Sequence, residues 1–239
     1  MITFDKVIKK FDTVTAVNSL SFTAKKGEIV GFIGPNGSGK TTTIKMLTGI
    51  LSPDSGTINI NGYNMAADSL NAKMSIGYIA DNPDMFLRLK GIEFLSFIAD
   101  IYHVNQQERI KQIERLAGVF GLTDFLNSQM MSYSHGMRQK MMVIAALIHN
   151  PAVWILDEPL TGLDPKSAYQ LKRMMVEHAN RGNCVFFSTH VLEVAEKLCH
   201  KVIIIQKGQS LYDGTLDNLK ASHPNKELEK IFLELTCDE

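Results

Sequence analysis

The sequence predicts an α/β fold with a parallel sheet at its centre, a mainly β part at the amino terminus and a helical insertion between two portions of the core. Three observations carry that expectation. Apolar and polar residues alternate up to residue 82, helical spacing takes over from 83 to 149, and from 150 short continuous apolar runs alternate with a helix-length stretch. Alternation marks half-buried strands, whereas continuous apolar strands separated by helices mark a parallel sheet covered on both faces. A chain of 239 residues suffices for one substantial core, since single cores stop growing near about 250 to 300 residues. One domain over 1–239 is therefore expected: 1–82 and 150–214 as core with β subdomain, 83–149 as helical subdomain, and 215–239 as a helical tail.

Taken in order, Ile2 and Phe4, then Leu20, Phe22 and Ala24, then Ile58 and Ile60 occupy alternate positions of three strands. Residues 28–33 read as a buried strand that runs into a glycine-rich loop, and residues 42–47 resume as a helix. Residues 92–102 and 106–120 have helical spacing, with Asn105 and Glu108 placed as a capping box and Gly121 as a stop. Strands are expected at 152–156, 184–187 and 202–206, with a helix over 166–179 between the first two.

Charge and composition narrow the function. The 25 Lys and Arg balance the 25 Asp and Glu, so no global field draws the chain onto a polyanion, and nucleic acid is not an expected partner. Cys184, Cys199 and Cys237 are widely separated and lack metal-ligand spacing, which suits free thiols in a reducing compartment. Asp5, Lys6, Lys9 and Lys10 interrupt the amino-terminal apolar residues, unlike a signal peptide. The longest apolar runs, 143–148 and 202–205, fall far short of the roughly 20 residues that span a bilayer. Any membrane function is borrowed from a partner.

The chemistry begins with Gly34-Pro35-Asn36-Gly37-Ser38-Gly39-Lys40-Thr41, between a strand and a helix that opens with Thr42. This is a phosphate-binding loop in the context it requires: glycines let successive N–H groups converge on phosphate oxygens, and the helix start adds its positive end. Lys40 bridges β and γ phosphates, and the Thr41 hydroxyl ligates Mg2+, so ATP is the expected ligand. A second acidic site, Asp157-Glu158, ends the apolar run 153–156. Carboxylates at a strand's carboxyl edge face the ligand crevice of an open α/β sheet. Asp157 is expected to hold magnesium and Glu158 to orient or deprotonate the attacking water.

These residues, with Tyr133-Ser134-His135-Gly136-Met137-Arg138-Gln139-Lys140, give the whole chain a resemblance to the nucleotide-binding domain of the ABC ATPases. The last segment is similar to the family signature, usually written Leu-Ser-Gly-Gly-Gln; it opens a helix whose free N–H groups and Ser134 hydroxyl suit an anion. The resemblance implies an ABC ATPase fold in which 83–149 is the signature subdomain. It also implies that Phe11 stacks on adenine, Val17 contacts base or ribose, residues 159–164 are the D-loop, and His190 contacts the γ-phosphate as a switch histidine. Asp81 stands where the family usually has Gln, as an ion ligand linking magnesium to the membrane subunit, and His135 replaces the first signature glycine.

The signature completes the site of a second ATPase subunit, so Ser134 and Gly136 are expected to meet the partner's nucleotide across a head-to-tail dimer, a homodimer before a heterodimer. The other implied partner is an integral membrane transporter subunit, received by the helical insertion, where Met85, Phe86, Leu87 and Leu89, broken by Arg88 and Lys90, read either as an apolar surface with a charged rim or as subdomain core. The signature and residues 228–235 resemble ATPases of ABC-2 type exporters, placing the chain on the cytoplasmic face of the cell membrane. The alternative is a soluble ABC ATPase without a transporter; such proteins generally carry two cassettes, a coiled coil or basic extensions, and this chain has one cassette, no heptads and balanced charge.

Overall fold

The amino-terminal alternation becomes an antiparallel sheet. In the computed structural model, which describes residues 1–84, 86–224 and 226–236, β1 (Ile2–Phe11) and β2 (Val14–Ala24) form a hairpin. β4 (Ser55–Ile60) and the short β5 (Tyr63–Asn64) complete the order β2-β1-β4-β5. Register puts Ile2 opposite Ala24 and Ile60, and Phe4 opposite Phe22 and Ile58, so one face is wholly apolar and buried.

That face packs on a second, six-stranded sheet. Its order is β10-β9-β3-β8-β7-β6. β3 (Ile29–Ile33), β6 (Ile76–Ile79), β7 (Val153–Leu156), β8 (Cys184–Thr189) and β9 (Lys201–Gln206) are parallel, and β10 (Gln209–Thr215) is the antiparallel edge. The central strands are continuously apolar because both faces are covered. Val30, Phe32, Ile155 and Phe186 join the β subdomain and helix α1 (Lys40–Leu47), whereas Ile33, Trp154, Phe187 and Ile204 join the helical side.

Helices α2 (Ser69–Met74), α3 (Gly91–Ile101), α4 (Gln106–Phe120) and α5 (His135–Leu147) precede β7; α6 (Pro165–Asn180) and α7 (Leu192–Leu198) flank β8, and α8 (Leu216–Ser222) and α9 (Leu228–Thr236) end the described chain. α4 starts and stops where its capping residues place it: Asn105 accepts from the Glu108 N–H at 3.0 Å, and Gly121 turns left-handed. The expected box is only half made, because the Glu108 carboxylate takes a hydrogen bond from Gln112 instead. α1 begins at Lys40, ahead of the expected Thr42, and β8 runs on to Thr189. Cys184 and Cys199 are buried free thiols, burial pushing Cys184 up to about 12; Cys237 and Met85 lie outside the described residues. Among the described residues no helix is long and apolar enough to cross a membrane.

The two sheets are locked by aromatic rings. Phe22 stacks on Phe4 at 4.8 Å and on Phe186 at 5.5 Å, and Phe32 lies 5.3 Å from Phe186. Phe186→Ala removes the ring shared by both sheets, and a loss of about 3 to 5 kcal/mol in a denaturant titration is expected.

Candidate functional site

β3, β8 and β7 are neighbours, so the segments leaving their carboxyl ends converge: the glycine-rich loop after β3, Asp157 and Glu158 after β7, and His190 after β8. A cavity of about 510 Å³ opens there, in the size range of a small-molecule site. Asn36, Gly37, Gly39, Lys40, Thr41 and Thr42 line one side, Asp81, Asp157 and Glu158 another. Gly34, Pro35 and Ser38 belong to the same loop but do not line the cavity.

The backbone explains the glycines. Gly39 has φ 105°, and a Cβ there would stand 2.5 Å from the Ala16 carbonyl oxygen; a Cβ on Gly34 would meet the Ile205 carbonyl oxygen at 2.5 Å. The Lys40 ammonium donates to the carbonyls of Gly34 at 2.7 Å and Pro35 at 3.1 Å. Burial lowers its pKa, while Glu158 and Asp157 raise it. No side chain caps α1, and the buried Ser38 Oγ has no hydrogen-bond partner. Uncapped amides, the Thr41 hydroxyl and the Lys40 ammonium around one opening fit a polyphosphate.

On the acidic side Asp157 is 2% exposed, and its Oδ1 accepts from Ser188 Oγ at 2.6 Å. Burial pushes its pKa up against that hydrogen bond, with Asp81 and Glu158 adding to the rise. The same Ser188 oxygen accepts from the Glu158 N–H at 3.0 Å. Glu158 sits at φ 47°, a left-handed conformation that costs a non-glycine residue on the order of 1 kcal/mol or more and clusters at functional sites. Its Oε2 lies 2.9 Å from His190 Nδ1. Among the described residues no group of three or more His, Cys, Asp or Glu forms a ready metal cage. Asp157 and Asp81, beside Thr41 and phosphate oxygens, could take magnesium, an ion that keeps waters and needs only one or two carboxylates.

One placement differs from expectation. Val17 is fully buried in the β-subdomain core, so the wall there is formed by Val14, Thr15 and Ala16. The strand alternation explains this: an inward position cannot also face the cleft. Phe11 stands 44% exposed at the end of β1 with the Lys9 ammonium 5.5 Å from its ring centroid, outside the cavity lining. Ser134 caps α5 by accepting from the Met137 N–H at 3.3 Å, and neither it nor Gly136 lines the cavity. Ser188 and Lys207 are not legible as site residues in the sequence, because a serine inside an apolar strand and a lysine in a turn carry no motif. Ser188→Ala leaves Asp157 Oδ1 and the Glu158 N–H without their shared partner; a loss of about 1 to 3 kcal/mol is expected by urea titration, with Ser188→Thr retaining most of it.

A family model described as ABC transporter matches residues 17–161. The ABC transporter ATP-binding protein NatA of Bacillus subtilis (strain 168) is 34% identical over 238 residues, covering 98% of this chain and 97% of that protein. The linearmycin resistance ATP-binding protein LnrL of the same organism is 32% identical over 219 residues, 92% of this chain and 70% of that protein. A solved ATP-binding subunit of an ABC transporter superposes with TM-score 0.95 at 31% identity, over 98% of this chain and 99% of the other. A dimeric ATP-binding cassette in a post-hydrolysis state with ADP and Pi shares the fold at TM-score 0.82 and 23% identity, over 90% of this chain and 99% of the other.

Proposed function

This chain belongs to the ABC transporter ATPase family, and from that premise we propose that it powers an exporter from the cytoplasmic face of the membrane as one of two identical subunits closing head to tail on MgATP. One observation carries the catalytic part: Glu158 lines the cavity that Lys40 also lines, its backbone N–H held by Ser188 and its carboxylate by His190. Lys40 turns from the carbonyls of Gly34 and Pro35 onto the β and γ phosphates, and the loop amides hold the remaining oxygens. Glu158 takes the proton of the attacking water at Oε2, and His190 orients that carboxylate and meets the γ-phosphate. Magnesium, held by Thr41, Asp157 and Asp81, neutralises charge on the phosphates when bound. Ser134 and Gly136 at the start of α5 complete the partner's site.

An apolar groove of about 410 Å³ supports a membrane partner. Tyr78 and Ala80 from the core and Phe86, Phe94, Ile98 and Met142 from the helical insertion line it, with Lys45 at the rim. Phe86 is 42% exposed and stacks on Phe94 at 5.4 Å, in the segment that the sequence assigns to a partner. LnrL is named for linearmycin resistance, a name with which an outward direction of transport is consistent. Affinity purification in mild detergent tests the assignment: an integral membrane protein with its own spans is expected to accompany the chain. Recovery of an ATPase-active chain with only soluble partners would favour the transporter-free alternative.

A further inference from the structure

The signature helix and the segment that leaves Glu158 touch each other within one chain. Residues 135, 136, 139 and 140 share one side of α5, and that side lies against residues 159–164. The His135 ring sits over Gly162, where an added Cβ would stand 2.5 Å from His135 Cδ2 and 2.7 Å from Nε2. A Cβ on Gly136 would stand 3.0 Å from the Gly162 carbonyl oxygen. One helical turn on, the buried Gln139 donates through Nε2 to the Pro159 carbonyl at 3.5 Å, and Lys140 pairs with Asp164 at 2.8 Å. Asp164 in turn caps α6, accepting from the Ser167 N–H at 2.9 Å. The segment so held begins at Glu158, whose carbonyl accepts from the Thr161 N–H at 3.2 Å and whose backbone is left-handed.

We infer that His135 is a positioning residue: its ring, packed on Gly162, clamps residues 159–164 to the signature helix and so holds Glu158 in its strained, working conformation. A left-handed glutamate persists only where its surroundings over-determine it. Here Ser188 fixes it from the sheet side, and the start of α5 fixes the chain that leaves it. This use of His135 depends on the shape of the ring, filling the space over a glycine, rather than on imidazole chemistry at a nucleotide. It gives the first turn of α5 a second task, since the same turn carries Ser134 and Gly136. The inference rests on the reading of Glu158 as the base.

Steady-state hydrolysis of MgATP tests it, at protein concentrations high enough that assembly does not limit the rate. His135→Ala is expected to lower kcat roughly tenfold with KM within about twofold, as loss of alignment without loss of binding does. His135→Leu fills the space without a nitrogen or charge and is expected to recover kcat to within about threefold of the unsubstituted chain. Gly162→Ala drives a methyl into the ring at a backbone φ of 77° that by itself strains alanine, so it is expected to be worse than His135→Ala. The contact is read from the coupling: the double variant His135→Ala with Gly162→Ala is expected to be better than the product of the two effects, because neighbours in contact are not additive. Denaturant midpoints for the same four proteins report the contact independently of catalysis.

Wild-type kcat in His135→Ala, or a raised KM that His135→Leu does not mend, would overturn the clamp, the second outcome pointing to imidazole acting on the partner's nucleotide. Glu158→Gln is measured alongside. A wild-type rate in that variant, with the His135 and Gly162 midpoints still coupled, removes the assignment of the base and with it the inference; an inactive Glu158→Gln with uncoupled His135 and Gly162 removes the clamp alone.

Discussion

Glu158→Gln is expected to bind MgATP like the unsubstituted chain and to hydrolyse it at least about a hundredfold more slowly, the scale of a lost general base. The amide keeps the length and reach of the carboxylate, so its contact to His190 Nδ1, 2.9 Å in the native chain, has a replacement, and the backbone bond to Ser188 Oγ is untouched. Only the capacity to accept a proton from water is lost. Single-turnover hydrolysis with excess protein separates this from slow release: the chemical step itself falls, and ATP binding measured by calorimetry does not. A variant that hydrolyses at the native rate would place the base elsewhere.

Lys40→Ala is expected to fail one step earlier, at binding. Lys40 is buried and its ammonium donates to two loop carbonyls, so it is held within the curve of the loop that a phosphate would share. Removing one partner of a desolvated, hydrogen-bonded charge pair costs on the order of 2 to 5 kcal/mol, roughly 30-fold to several-thousand-fold in affinity. Nucleotide titration by calorimetry or a fluorescent analogue checks this, with ADP and ATP both weakened. The fold is expected to survive, because the Gly39 carbonyl still receives the Thr43 N–H at 2.9 Å and α1 keeps its apolar face in the core.

The parts of this molecule legible in sequence are those where one local pattern has one physical cause. Phe4, Phe22 and Ile58 alternate because one face of a sheet is buried, and Ile29 to Ile33 is apolar throughout because both faces of another are. Asn105 and Gly121 mark the ends of α4 because caps act within a turn. The loop from Gly34 to Thr41 is legible because phosphate geometry demands glycines, a lysine and a hydroxyl in fixed order. What escapes is the product of packing between distant segments. Ser188 joins the site through its strand neighbour β7, and His135 meets Gly162 from a separate segment of the chain. No local spacing encodes those contacts.

In the proposed cycle the γ-phosphate joins the loop of one chain to Ser134 and Gly136 of another, and Glu158 ends the contact by hydrolysis. Size-exclusion chromatography with light scattering on Glu158→Gln tests this most directly. With MgATP the variant is expected to elute as a stable dimer, with ADP as a monomer, and with Lys40→Ala added as a monomer under either nucleotide. A Glu158→Gln chain that binds ATP yet stays monomeric at concentrations well above its nucleotide affinity would mean that the γ-phosphate does not join two chains.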